Sequence, residues 1–290
     1  MNKLTFKNFI GDTIEFSQSS TYKWIQVSDL GGGVVRSQTT SSPFQDGETS
    51  VGTSYFNSKL ITIEFVVLSD NLQEAIRNLN RAVNPKIGIG SLTFENNGVT
   101  RVLNKVKTRV MPTMERNDSK GKTFQYTSII FEVYDPFYSD ENFTSQDVGT
   151  GDLNFEFPLN ITDTFTFDTL NTEGIVVNNA GDVECPVTII IDGAVTQPLT
   201  VTNATTGEEV VIGLNIDSNT RLTITTEIDN INVVATNLTT GVDTTAFQYI
   251  DVAQTTFFYL AKGENIITIT GNEGDVEVAT FKYKNKYVGV

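Results

Sequence analysis

The stretch KLITIEFVVLSDNLQEAIRNLNRAVNP (59–85) changes its hydrophobic period halfway along. Residues 59–68 are rich in β-branched side chains and read as a strand. From 69 to 83 the apolar residues Leu72, Ala75, Ile76, Leu79 and Val83 fall at helical spacing on one face. Ser69 or Asp70 can cap the start, with Gln73 or Glu74 reaching back, and Pro85 stops the helix. This helix, at about 70–83, is the one clear helical signal in a chain that otherwise alternates in period two.

On the N-terminal side, LTFKNF (4–9) and TIEFS (13–17) alternate around a Gly11-Asp12 turn, and YKWIQV (22–27) alternates again. Gly31-Gly32-Gly33 and a long polar stretch, SQTTSSPFQDGETSVGTSYF (37–56), follow. Its turn formers Pro43 and Asp46-Gly47 mark either a functional loop or a hairpin. On the C-terminal side, SLTFEN and GVTRVLNKVKTRV flank Asn97-Gly98, a strong hairpin signal. KTFQYTSIIFEVYDP (122–136) runs as a strand into the Asp135-Pro136 stop.

The second half reads as strands alone: FEFPLNITDTFTFDT (155–169), GIVVNN (174–179), PVTIIIDG (186–193) and a hairpin around Thr206-Gly207. TRLTITTE, INVVAT, FQYIDV, TFFYLAKGENIITITG and DVEVATFKYKNKYV complete the series. Short strands at this spacing indicate an antiparallel sandwich. No fixed-period repeat argues for a solenoid or propeller.

Charge divides the chain at the same place. Residues 1–140 hold 15 Lys and Arg against 14 Asp and Glu, net +1; residues 141–290 hold 5 against 21, net −16, together the formal −15. Two domains, 1–140 and 141–290, are therefore expected, with DVGTGD (147–152) as a flexible linker. A net of −16 disfavours nucleic acid and anionic membrane as partners. No apolar run approaches the roughly 20 residues of a membrane helix, and the first residues lack the pattern of a signal peptide. The single cysteine, Cys185, suits a reducing cytoplasm and reads as a small buried hydrophobe.

The inventory of chemistry is short. The chain has no histidine, which removes Ser-His-Asp and Cys-His catalysis and His-ligated zinc. It has no P-loop and no EF-hand loop, and Gly88 and Gly90 lack the third glycine of a dinucleotide site. No motif selects two carboxylates for glycoside hydrolysis. No catalytic residue, cofactor site or metal site is expected, and the chain reads as a non-enzyme. Phe247, Tyr249, Phe257, Phe258 and Tyr259 are read as strand aromatics, in the core or in cross-strand pairs, with a sugar platform as the other reading. Trp24 is placed in the first core. Lys105, Lys107 and Arg109 lie two apart on the 99–110 strand. A solvated outer face, a phosphate stripe and an intersubunit contact are all open to them.

Several segments, taken in order, resemble the distal tail protein (Dit) family of long-tailed bacteriophages. They are KLTFKNFIGDTIEF, the Pro43 and Asp46-Gly47 loop with its following strand, and the helix leading through NPKIGIGSLTFENNGVTR. FEVYDPFYSD (131–140), NNAGDVECPVTIIIDG, NATTGEE, GENIITIT and FKYKNKYVGV follow. The resemblance implies a mainly β fold. Its first domain, a β-sandwich or split barrel with one helix, closes into a six-membered ring coaxial with the tail tube. Its second, a galectin-like or carbohydrate-module-like sandwich, faces outward. The implied partners are further copies of the chain in a homohexameric ring, the tail tube protein, and receptor-binding, tail fibre or baseplate proteins. No sequence-specific nucleic-acid binding and no membrane insertion are implied. The implied location is the distal end of the tail of a virion, after synthesis in the host cytoplasm. Phe44, Asp46 and Gly47, with Lys105, Lys107 and Arg109, are the interface candidates. The alternatives are a baseplate component of a contractile tail or tailocin, and a carbohydrate-binding adhesin acting through the second sandwich.

Overall fold

A computed structural model describes residues 3–44, 46–113, 123–149, 174–271 and 276–289. The chain forms two compact units, Met1–Glu141 with Tyr287–Val290, and Asn142–Lys286. A boundary at 140/141 assigns the last four residues to the second domain; the structure returns them to the first. They go back because β21 (Lys286–Tyr287) pairs beside β10 (Tyr138–Asp140), and Tyr287 lies under the Arg101 guanidinium at 3.8 Å. The strand expected at 155–169 lies outside the described residues.

The first unit is a seven-stranded wall closed on itself. Its strands are β1 (Lys3–Lys7), β2 (Thr13–Ser17), β3 (Tyr22–Val27), β6 (Lys59–Leu68), β7 (Gly90–Asn96), β8 (Val99–Val110) and β9 (Phe124–Val133). Their order is β8-β7-β1-β2-β3-β6-β9, and β9 pairs back onto β8. Closure removes the open edges that a flat sheet would expose. β1 pairs with β2 from Lys3↔Ser17 to Lys7↔Thr13, and β7 with β8 across Asn96↔Val99. Asn97 (φ 49°) and Gly98 (φ 83°) make the left-handed turn between the latter pair.

Inward positions hold the core: Phe16 and Phe65 at 4.9 Å, Phe6 and Phe131 at 4.7 Å, Phe94 and Tyr138 at 5.4 Å. Helix α1 (Leu72–Ala82) buries Leu72, Ala75, Leu79 and Ala82 against this core. Its cap is Asn71, whose Oδ1 accepts from the Glu74 N–H while its amide donates to the Glu74 carboxylate. Ser69 and Asp70, the expected caps, stand two and one positions too early. The Tyr22 hydroxyl donates to the Ala75 carbonyl at 2.8 Å, and the Asn8 amide to that of Ala82 at 3.0 Å. Trp24 is half-buried against the same core.

The second unit is a sandwich. One sheet runs β11 (Thr144–Gly149), β20 (Val276–Tyr283), β13 (Val187–Gly193), β16 (Thr220–Thr225), β17 (Asn232–Asn237), β18 (Asp243–Thr245). The other runs β12 (Ile175–Asn179), β19 (Gly263–Thr270), β14 (Leu199–Asn203), β15 (Glu208–Ile212). Alternate residues such as Ile189, Ile191, Val201, Leu222, Ile224 and Phe281 fill the space between them. Asp147–Gly149, expected in a flexible linker, are instead paired residues of β11 on β20; the rest of that segment lies outside the described residues. The aromatics at 247–259 are not in strands. Phe247–Tyr249 form a 3₁₀ turn, Phe258 is buried, and Phe247 stacks on Phe257 at 6.1 Å. The backbone here is diverted because it covers the β15 edge: the Asp251 and Thr256 N–H groups donate to the Val211 and Glu209 carbonyls.

Candidate assembly surfaces

Residues 35–56 are not a loop. β4 (Val35–Thr40) and β5 (Thr49–Phe56) pair as a separate two-stranded hairpin with a register shift between Arg36 and Gln38. From Val34 to Tyr55 every described residue is exposed, including Val34, Val35, Val51 and Tyr55. Phe44 is 100% exposed at the tip, beside Asp46 and Gly47 (φ 90°). An isolated two-stranded hairpin is marginally stable in water, so such an arm is built to lie on another surface.

The root of the arm, in contrast, is packed. The Asn57 N–H donates to the Val34 carbonyl at 2.9 Å, and Phe56 meets Phe137 edge-on at 5.3 Å. The Tyr138 hydroxyl donates to the Leu30 carbonyl at 2.8 Å. Tyr138 is fully buried, and burial raises its phenol above the ordinary value, so it stays neutral.

The outer side of β3, β6, β9 and β8 carries a second open surface. Ile25 (53% exposed), Leu60, Leu68, Val110 and Tyr126 (49%) project from it. The register sets Val66 beside both Lys23 and Tyr126, and Thr62 beside Ile130, which adjoins Val110. A shallow depression of about 250 Å³ is lined by Ile25, Glu64, Tyr126 and Thr127 among others. Antiparallel walls normally turn a polar face to water; this one sets exposed Ile25, Leu60, Leu68, Val110 and Tyr126 among Thr62, Glu64, Ser128 and Glu132.

The three basic candidates adjoin it. Buried Leu103 and Val106 are three apart on β8 because the strand bulges, with Lys105 at φ 55°. Lys105 thus sits in a bulge, out of step with the two-residue alternation that the sequence suggested. Lys107, half-buried, pairs opposite Glu132 on β9, and Arg109 reaches the Glu132 carboxylate at 3.4 Å. Phe44, Asp46 and Gly47 lie on the arm, separate from these three. The wall itself escaped the sequence reading. Its only signal was Leu60, Leu68 and Tyr126 at positions that alternation assigns to water.

The sequence motifs behind the resemblance meet inside the second unit. The buried Asn265 amide donates to the Ala261, Gly263 and Val177 carbonyls, and its oxygen accepts from the Ala261 N–H and the Asn203 amide. The Asn179 amide donates to the Val183 and Leu260 carbonyls, while Asn285 accepts from the Ala180 N–H. NNAGD, NATTGEE, GENIITIT and FKYKNKY each contribute one asparagine to a polar seam along the core. Asparagine suits this place because one short side chain both donates and accepts.

Among the described residues no group of three or more His, Cys, Asp or Glu is placed to hold a metal ion. None of their helices is long and apolar enough to cross a membrane.

The fold is a closed β wall bearing one helix and an exposed hairpin arm, followed by an acidic β-sandwich. Residues 180–287 match the family described as Siphovirus-type tail component, C-terminal domain. Over the whole length the fold is that of the Dit protein (gp 19.1) of phage SPP1, described as a paradigm of hub adsorption apparatus in Gram-positive infecting phages. The TM-score is 0.69 at 13% identity, covering 98% of each chain. A chain of the phage p2 baseplate in its activated conformation with Sr is similar at TM-score 0.53 and 13% identity, over 99% of each chain. The corresponding structure with Ca gives 0.51 and 12%, again over 99% of each. No curated protein sequence matches. The second unit is thus similar to the siphovirus-type tail components over residues 180–287, and the whole chain shares the fold of the SPP1 Dit protein.

Proposed function

We propose that this chain is a siphovirus-type tail component with a structural role in the tail-tip or baseplate hub, and that it is the ring subunit of that hub, closing head-to-tail into a homohexamer at the distal end of the tail tube. The observation that carries the reading is the pair of open surfaces on the first unit, an arm and an outer wall that no other described residue covers. Two different surfaces on one protomer make a heterologous contact, and heterologous contacts that close make rings. The arm of one copy lies on the β3–β6–β9–β8 wall of the next, and its acidic tip, Asp46 and Glu48, faces the Lys107–Arg109 strip. A near-neutral first unit tolerates six-fold packing, which six strongly acidic faces would oppose. The second unit, which carries 5 Lys and Arg against 20 Asp and Glu over residues 142–286, holds receptor-binding or baseplate proteins. The role involves no catalysis, and the chain is made in the host cytoplasm.

Light scattering with electron microscopy on the intact chain tests this. A six-fold ring with a central channel is expected, alone or after addition of the neighbouring tail proteins. A chain that stays monomeric with those proteins present overturns the reading. A second reading, carbohydrate binding by the second unit, is favoured by the half-exposed rings of Phe247 and Tyr249 on their 3₁₀ turn. A glycan array tests it: retention of the native chain that Phe247→Ala with Tyr249→Ala abolishes would support it, and no retention would exclude it.

A further inference from the structure

We propose that Gly31-Gly32-Gly33 is the hinge of the arm and that the buried ammonium of Lys59 holds this hinge poised to open. Only the consequence for ring assembly rests on the proposed function; the hinge is a property of one chain.

Three glycines in a row join the end of β3 to the arm, and a backbone without Cβ atoms rotates freely. A Cβ on Gly31 would meet nothing within 4 Å, whereas one on Gly32 would crowd Val288 at 3.2 Å and one on Gly33 would touch Phe56 at 3.5 Å, so Gly31 is the open position. Just before them Asp29 turns the chain at φ 65°, a left-handed conformation that aspartate tolerates better than most residues. Tyr138 on the Leu30 carbonyl and Lys59 on that of Gly31 tie this turn to the body of the unit.

Lys59 is 5% exposed. Its described contacts are the Gly31 carbonyl at a long 3.4 Å and the Tyr138 ring at 4.0 Å, neither of them a carboxylate. Asp29 and Asp135 act on it as more distant charges and favour its charged form; Tyr138, held neutral, does not compensate it. A buried cation compensated this weakly is costly, and it regains water if the root opens. Burial pulls the amine down to about 8 from 10.5, so it is still protonated at neutral pH. The sign follows from linkage. The closed root binds fewer protons than the open root between about pH 8 and 10.5, so raising the pH through this window favours closure and neutral pH favours opening. The population of open arms should fall by on the order of tenfold between pH 7 and 9.5.

Dipolar electron resonance between nitroxides at Phe44→Cys and Val99→Cys reads the arm directly. Both positions are exposed and the native Cys185 is buried. The labelled chain is diluted in unlabelled chain so that only distances within a chain are seen. A broad distribution at pH 7 that narrows to one distance at pH 9.5 is expected, with Lys59→Met narrow at both. Lys59→Gln, neutral but still a donor to Gly31, should behave as the methionine does, and Trp24 emission checks that each variant is folded. A native distribution that ignores pH, or a neutral variant that broadens it, overturns the proposal. Mass measured on the same samples keeps the two readings apart. A chain that stays monomeric even with the neighbouring tail proteins present, but whose arm responds to pH, sinks the ring and keeps the hinge; a ring with a pH-blind arm does the reverse.

Discussion

Asn265 is the side chain on which the polar seam of the second unit turns. Replacing it with alanine leaves the Ala261 N–H and the Asn203 amide without their acceptor and removes the donor shared by three carbonyls. All of this occurs at a residue with 0% exposure. Each buried donor left unsatisfied costs about 1–3 kcal/mol, so two of them give a loss of about 2–6 kcal/mol. Asn265→Asp is the sharper test. It keeps the shape and the acceptor but brings a carboxylate against three carbonyl oxygens. Its acid should therefore titrate above the ordinary carboxylate value in the fold. A group shifted this way loses stability as the pH rises through the unfolded value near 4, so the aspartate should be less harmful at pH 4 than at pH 7. Urea unfolding followed by far-ultraviolet circular dichroism measures the loss. Trp24, the single tryptophan, sits in the first unit and serves as the control. A loss below about 1 kcal/mol for alanine, or an aspartate insensitive to pH, would refute the claim that the seam supports the sandwich.

Four further outcomes are expected. Leu79→Ala removes a fully buried helix residue and should cost about 2–5 kcal/mol, read this time by the Trp24 transition itself. Gly98→Ala places a Cβ at φ 83° with open space around it, so backbone strain alone should lower stability by about 1–2 kcal/mol in thermal melts. Ile25→Glu with Tyr126→Glu alters two exposed wall residues; it should prevent the proposed ring from forming, as read by light scattering, while changing the melting temperature of the single chain little. Lys59→Met should melt above the native chain at pH 7, and the gap should close towards pH 10 as the native amine loses its proton.

What the sequence determined by itself is what short-range physics decides. The 3.6-residue apolar spacing could only be a helix, and Leu72–Ala82 is one. Asn97-Gly98 and Thr206-Gly207 were legible as hairpin turns because the positive φ of Asn97, Gly98 and Gly207 is a local property of those residues. The helix cap was misplaced because Ser69, Asp70 and Asn71 all have cap chemistry, and only the packing of Leu72 and Ala75 decides which of them starts the helix. Tertiary structure settled everything that depends on distant pairing. β9 returns to β8 to close the wall, and Tyr287 returns to Asp140, 147 residues away, through its hydroxyl at 3.4 Å. The aromatics at 247–259 leave strand geometry because their backbone is needed to cover β15, which no local pattern announces. The same holds for the candidate surfaces. Turn residues located the arm tip at Phe44, Asp46 and Gly47. The wall beneath Ile25 and Tyr126 exists only where strands far apart in sequence lie side by side, since register, not composition, decides which side chains share a face.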